Sequence, residues 1–250
     1  MTWPFENDTS GIIKRISNRS ISANRKRNIF IILTIALASA LLSAIVLYGF
    51  GVMQETQNRN QKTAQIMYHA ISEQQGQELY KQEEIAWVGE FFNAFSEQVN
   101  HSTVNFTYAN ADMLKSQSMP YSGDLPASEN EIVVQESFLD SLGYSNELGQ
   151  TIQIPFSDGT THDFKLTGIL DVKTGDIGRY TAIISKELVR QQYGDEGMID
   201  YYIGLKGAQN MSEEEATNYA NTLAQQLKIS DDSVIVRSTY FNLKDENHGS

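Results

Sequence analysis

The sequence predicts an α+β protein in which one membrane-spanning helix near the amino terminus precedes a mixed α/β domain with two lobes. The stretch 29–53 contains 25 residues, largely apolar, without one charge. The chain after it alternates between short period-two strand patterns and short helices with capping residues. Charge is also segregated, because residues 1–28 carry six basic and two acidic side chains, whereas the chain after Met53 carries thirteen basic and twenty-nine acidic ones.

Stretch 29–53 is long enough to cross a bilayer. A helix of that length spans roughly 37 Å, which exceeds the ~30 Å hydrocarbon core. Arg25, Lys26 and Arg27 directly precede it, and short basic flanks stay in the cytoplasm. We therefore expect residues 1–28 inside the cell and the acidic chain after Met53 outside it, with the lipid bilayer as the first partner.

A cleaved signal peptide is the competing interpretation of this stretch. Ala38-Ser39-Ala40 resembles a small-x-small cleavage site. The apolar run continues beyond it to Met53, however, and 28 residues precede the run where a signal needs only a few. These two observations favour a retained span.

The segment before the span has an amphipathic pattern. After Ser10, four isoleucines can share one side of a helix and basic residues the other: Ile12, Ile13, Ile16 and Ile21 against Lys14, Arg15 and Arg19. Such a helix either lies in the headgroup plane or serves only as a positively charged tether on the cytoplasmic side.

Within the span, Ala36, Ala40 and Ala44 recur at the spacing that lets two helices pack closely.

Residues 54–242 form the predicted extracytoplasmic domain. Residues 54–62 extend the span as a helical stalk. Period-two and buried-strand patterns predict strands at 66–71, 85–95, 103–108, 131–134, 151–155, 162–170, 181–184, 201–205 and 234–236. The capping pairs Ser72/Gln75 and Ser212/Glu215, and the terminating Gly143 and Gly194, predict helices at 73–80, 136–142, 185–193 and from 212 to 227. The hairpin around Ser157–Thr160 is the expected second lobe, and Pro120, Gly123 and Pro126 mark a loop.

Chemical motifs are missing from the sequence. Cysteine is absent, which excludes disulfides, zinc–thiolate sites and a thiol nucleophile. The four histidines are not at metal-ligand spacing: His69, His101, His162 and His248. The sequence contains neither a phosphate-binding loop nor a nucleophile elbow. We expect no catalytic, cofactor-binding or metal-binding residues, and no enzyme. The acidity also argues against nucleic acid and against adhesion to anionic lipid.

Several stretches occur in the order found in a known family. They are 20–28 before the span, Gly123–Pro126 with 131–134, Leu142-Gly143, 148–152 with 166–169, and 182–185. Together they resemble the FtsX-like permeases of ABC transporters, whose members carry a MacB-type extracytoplasmic core domain.

The resemblance implies a membrane permease subunit of an ABC transport system. It implies a separate cytoplasmic ATPase subunit and pairing as a homodimer or as a heterodimer with another permease. It also implies peptide or antibiotic export as a role, and three further spans. Because residues 243–250 are a polar tail, we expect a truncation point there. The alternatives are a single-span anchored sensor or binding module and, disfavoured by the missing motifs, an anchored surface enzyme.

Overall fold

The computed structural model describes residues 10–23, 25–172, 179–194 and 199–241. The chain divides into two units, Met1–Thr56 and Gln57–Ser250. The predicted tail 243–250, with His248, lies outside the described residues, as do residues 1–9 of the amino-terminal segment.

The first unit is helical. Helix α1 is Ser10–Ala23, and its Ile12, Ile13 and Ile16 side chains are exposed. Helix α2 is Arg25–Lys62, so the predicted stalk does continue the span as a helix. Within the described residues, the segment Arg25–Gly51 of α2 is the one helix long and apolar enough to cross a membrane, with a mean hydropathy of 2.8.

Two hydroxyl groups in α2 are satisfied within the helix itself. Thr34 Oγ1 donates to the Phe30 carbonyl over 2.8 Å, and Ser39 Oγ donates to the Ile35 carbonyl over 2.7 Å. A segment surrounded by hydrocarbon must satisfy its polar groups internally, because no water is present to do so. These bonds suit α2 to a bilayer.

The second unit is a mixed sheet with helices. Its strands are β1 Ile66–Ile71, β2 Ile85–Val99, β3 Ser102–Ala109, β4 Tyr121–Gly123, β5 Glu131–Gln135, β6 Thr151–Pro155, β7 Thr161–Leu170, β8 Arg179–Ile184, β9 Ile199–Leu205 and β10 Val234–Val236. Its helices are α3 Glu73–Leu79, α4 Ala111–Ser116, α5 Glu136–Leu142, α6 Lys186–Tyr193 and α7 Glu213–Leu227. The predicted α+β class is confirmed.

The ten strands form one continuous sheet. Their order is β10-β1-β9-β2-β3-β8-β5-β7-β4, with β6 paired to β7. The pairs β3–β8 and β5–β7 are parallel and the others antiparallel. The chain from α4 to α6 is thus an insertion between β3 and β9, and its strands complete the sheet on the far side of β3.

The two predicted lobes correspond to two cores that share this sheet. The first core lies around β1, β9, α3 and α7, and the second around β5 to β8 and α5. Alternation along β5 shows how the faces divide: Ile132 and Val134 enter the second core, while Val133 joins a third cluster with Met113 of α4. The third cluster therefore covers the opposite face.

Local signals explain most helix ends. Ser72 and Ser212 both form the capping boxes that the sequence predicts, and Gly143 ends α5 in the left-handed region at φ 79°. Two elements were not predicted: α4 and β4, the latter within the expected loop. Both are too short for a periodic pattern, although Asn110 caps α4 by accepting from the Met113 amide.

Candidate functional site

A buried carboxylate lies near the middle of the sheet. Glu90 of β2 is 4% exposed, and its side chain shares a face with Val88, which belongs to the first core. Its backbone amide donates to Asn110 Oδ1 over 3.0 Å. Removing a carboxylate from water carries a large penalty unless donors surround it, so the partners of Glu90 define the site.

Three donors satisfy the Glu90 carboxylate. The Tyr80 hydroxyl donates to Oε1 over 2.7 Å, while the Tyr108 hydroxyl and Lys186 Nζ donate to Oε2 over 2.7 and 2.8 Å. Burial, and then the charge of Glu90, raise the pKa of both tyrosine hydroxyls. Both phenols consequently stay protonated at neutral pH and act as donors.

A second carboxylate extends the cluster towards α3. Lys186 Nζ lies 3.2 Å from Glu73 Oε1, and the Arg190 guanidinium pairs with the same carboxylate. Partial burial acts to raise the pKa of Glu73, but hydrogen bonds and positive charge from Arg190 and Lys186 outweigh it and lower that pKa. We call Glu73, Glu90, Lys186 and Arg190, with Tyr80 and Tyr108, the ion-pair cluster.

The ion-pair cluster joins the two cores. Glu73 belongs to α3, which follows β1, whereas Lys186 and Arg190 belong to α6, which follows β8 at the end of the insertion. Phe92 and Tyr108 pack against both cores at this place. Charge pairs and aromatic contacts therefore link α3 and α6 where the two halves of the sheet meet.

Close packing of α3 on β9 borders the cluster. A Cβ on Gly76 would lie 2.1 Å from the Tyr201 ring, so the helix approaches the strand as closely as it does because residue 76 has no side chain. The Tyr201 hydroxyl is buried and has no hydrogen-bond partner among the described residues. Burial raises its pKa, with the charges of Glu90 and Glu73 adding to the effect.

The arrangement is chemically suited to holding elements together. Each carboxylate of the ion-pair cluster already accepts from basic or hydroxyl groups, and in the described ranges no group of three or more His, Asp or Glu side chains is placed to bind a metal. Such a network specifies geometry because breaking one partner leaves a buried charge unpaired. We interpret it as the junction of the two halves.

The three described histidines lie in elements apart from the cluster and from one another. His69 Nδ1 lies 2.7 Å from Asp200 Oδ1, and the His162 ring is 4.3 Å from that of Phe156 by centroid. His101 is in the β2–β3 turn. The expectation of no catalytic, cofactor-binding or metal-binding residues stays a prediction.

Sequence reasoning missed the cluster itself. Glu90 and Lys186 are separated by 96 residues, and Glu73 and Arg190 by 117. The available signal was Glu90 alone, since an acid flanked by Val88 and Phe92 at inward positions of an apolar strand requires a partner. Nothing local to Lys186 or Arg190 distinguishes them from exposed helix cations.

Comparison with known proteins points to one family. The sequence profile described as MacB-like periplasmic core domain matches residues 29–228. This range includes the apolar part of α2 and the sheet domain from β1 to α7. This match confirms the resemblance that the ordered motifs indicated. The comparison with curated proteins finds no significant match.

Solved extracytoplasmic domains of two bacterial transporters align with this chain. The periplasmic region of MacB from Actinobacillus actinomycetemcomitans aligns with a TM-score of 0.50 at 12% identity, covering 74% of this chain and 92% of that one. The extracellular domain of the ABC-type transporter YknZ from Gram-positive bacteria aligns with a TM-score of 0.48 at 10% identity, covering 70% and 98%. At such low identity the MacB alignment supports the fold alone.

Proposed function

The chain belongs to the family of MacB-like periplasmic core domains, and from this membership we propose that it is a permease subunit of an ABC transport system. The observation that carries the proposal is the span of the family match, 29–228, which takes in an apolar helix together with the sheet domain. We assign it no enzymatic role, because ATP hydrolysis belongs to a separate cytoplasmic ATPase.

The proposed topology has one orientation. Residues 1–28 lie in the cytoplasm, 29–53 cross the membrane and 54–242 lie outside. The basic residues before stretch 29–53 support this orientation, since short basic flanks are retained in the cytoplasm. The exposed apolar surface of α2 and its internally bonded hydroxyls support a lipid environment.

We propose that ATP turnover moves the sheet domain as one body. The strand pair β3–β8 makes the sheet continuous between the two cores, and the ion-pair cluster adds charged links at the same place. A junction of this kind resists bending between the halves. We also propose that the chain pairs with a second permease, identical or different. The role proposed for this complex is export of a peptide or an antibiotic.

The transport proposal is tested by purifying the tagged full-length chain from its host membrane. We expect an ABC-class ATPase, identified by mass spectrometry, to co-purify with ATP hydrolysis that is lost when its phosphate-binding lysine is replaced. Protease added to intact cells should digest the chain after Met53 and spare residues 1–28. A chain that purifies without an ATPase, in the same orientation, would instead support a single-span anchored sensor or binding module.

Movement as one body is tested with spin labels. The sequence has no cysteine, so Asp140→Cys in α5 and Asn218→Cys in α7, both at exposed positions, place one label beside each core. The distance between the labels should be the same with and without ATP in the complex with the ATPase. A shift of several ångström would contradict the proposal. As a control, Lys186→Met removes the central cation and should broaden the distance distribution.

A further inference from the structure

A cleft opens in the sheet domain at the point where the chain enters it from α2. Its volume is about 530 Å³, and its walls include Lys62, Trp87, Asp112, Lys115, Lys206 and Tyr240. Lys62 is the last residue of α2, Lys115 lies in the last turn of α4 and Lys206 directly follows β9. The volume falls within the range of ligand-binding clefts, roughly 300–1,000 Å³.

The net charge of the residues that line the cleft is opposite in sign to that of the chain after Met53. Three lysines and one aspartate line it, whereas the whole chain after Met53 carries thirteen basic and twenty-nine acidic residues. In the described part of the chain, none of the ammonium groups of Lys62, Lys115 and Lys206 forms an ion pair. All three side chains are exposed.

An indole is held in the wall beside these lysines. Trp87 is half-buried, and its ring lies where a side chain of Gly204 would be, since a Cβ there would come within 1.9 Å of Nε1. Tyr240 is 5% exposed, and no described residue hydrogen-bonds its hydroxyl. Tryptophan beside lysine is the combination that proteins place at membrane–water interfaces, where one surface is apolar and the other meets charged headgroups.

Chain connectivity limits how far the cleft can lie from the apolar segment of α2. Lys62 follows Gly51, the end of the apolar segment of α2, by eleven residues. Even a fully extended chain of that length spans at most about 40 Å. Under the proposed topology, the headgroups within reach are those of the outer leaflet.

We propose that this cleft binds the phosphate of an anionic phospholipid headgroup, with Lys62, Lys115 and Lys206 facing the phosphate and Trp87 lying at headgroup level. The location in the outer leaflet rests on the proposed function, but the binding chemistry rests on the cleft alone. The bound lipid would link the sheet domain to the outer leaflet.

The test uses the full-length chain in detergent with Trp3→Phe, which leaves Trp87 as the only indole. Monomeric dihexanoyl phosphatidylglycerol is titrated while Trp87 emission is recorded, and dihexanoyl phosphatidylcholine is titrated in parallel. We expect a saturable change with the anionic lipid at an affinity about tenfold or more above that for the zwitterionic one, because near-surface lysines contribute about fivefold each. Equal responses to the two lipids would overturn the proposal.

Matched variants separate the cleft from general surface charge. Lys115→Gln with Lys206→Gln should weaken phosphatidylglycerol binding roughly twenty-five-fold. Lys81→Gln with Lys165→Gln, at exposed positions outside the cleft, should leave it unchanged. Circular dichroism confirms that each variant is folded. An unaltered affinity in the cleft variant contradicts the assignment.

A third titration distinguishes the source of the phosphate. Inorganic phosphate should compete only weakly, and competition as effective as that of the lipid would identify a free-anion site and overturn the lipid assignment. Because no ATPase is present, these results do not depend on the transport proposal. If the chain binds lipid but has no ATPase partner, the proposed lipid site is supported and the proposed transport function is rejected.

Discussion

Helix α2 and the sheet domain are built from the same aliphatic residues but place them in opposite surroundings. Leu42 and Leu47 of α2 are 63% and 71% exposed, whereas Leu166 of β7 is fully buried. Apolar surface contributes about 25 cal/mol per Å² when it leaves water. The sheet domain obtains that contribution from its own strands and helices, while α2 is long and apolar enough to obtain it in a bilayer. A continuous exposed apolar surface, as on α2, therefore distinguishes it from the sheet domain.

The polar groups show the same difference. In α2 the Thr34 and Ser39 hydroxyls bond to carbonyls four residues away, so these two groups need no partner outside the helix. In the sheet domain Glu90 depends on Lys186, 96 residues distant in sequence. The stability of α2 is thus local, and that of the domain depends on the tertiary fold.

The largest expected difference between the two regions comes from removing leucine side chains. Leu166→Ala leaves a cavity in the second core and should lower the free energy of unfolding of the sheet domain by about 2–5 kcal/mol. Leu42→Ala should leave that free energy unchanged, because its side chain has no part in either core. Denaturant unfolding of the full-length chain with Trp3→Phe in detergent, followed by Trp87 emission, measures both. Equal losses of unfolding free energy in the two variants would contradict the difference between α2 and the sheet domain.

Adding one methyl group gives a smaller contrast. Gly76→Ala places a Cβ within 2.1 Å of the Tyr201 ring and should destabilise the domain by about 1–3 kcal/mol, because α3 must move away from β9. Gly49→Ala meets nothing within 4 Å and should be neutral. Thermal unfolding by circular dichroism compares the two variants. A neutral Gly76→Ala would show that α3 does not pack as closely as described.

Acid titration gives the smallest effect and again separates the regions. The folded-state pKa of Glu73 is lowered from 4.5, so its contribution to stability is complete above that value and is lost as the pH falls through the folded-state pKa. The stability difference between the wild type and Glu73→Gln should therefore shrink below about pH 4.5. The helical content of stretch 29–53, which has no charge, should not respond. A difference that stays constant down to pH 2 would contradict the role of the Glu73 pairs.

Much of the fold was predictable because its signals are local. The period-two runs, the capping boxes at Ser72 and Ser212 and the terminating Gly143 each depend on residues within a few positions of one another. The elements that escaped prediction, α4 and β4, contain six and three residues, and β4 lacks the Val-Ile-Val run that made the equally short β10 predictable. The family resemblance was readable for the same reason, since it consisted of short ordered motifs.

By itself, the sequence determined that an uncharged span precedes an acidic α+β domain, because apolar length, charge and period are properties of neighbouring residues. Only the tertiary structure decided the parallel pairing of β3 with β8, the ion pairs around Glu90, and the gathering of Lys62, Lys115 and Lys206 in one cleft. Each of these joins residues far apart in the chain. Which distant residues meet is determined by how the strands pair and the cores pack, and local patterns do not record it.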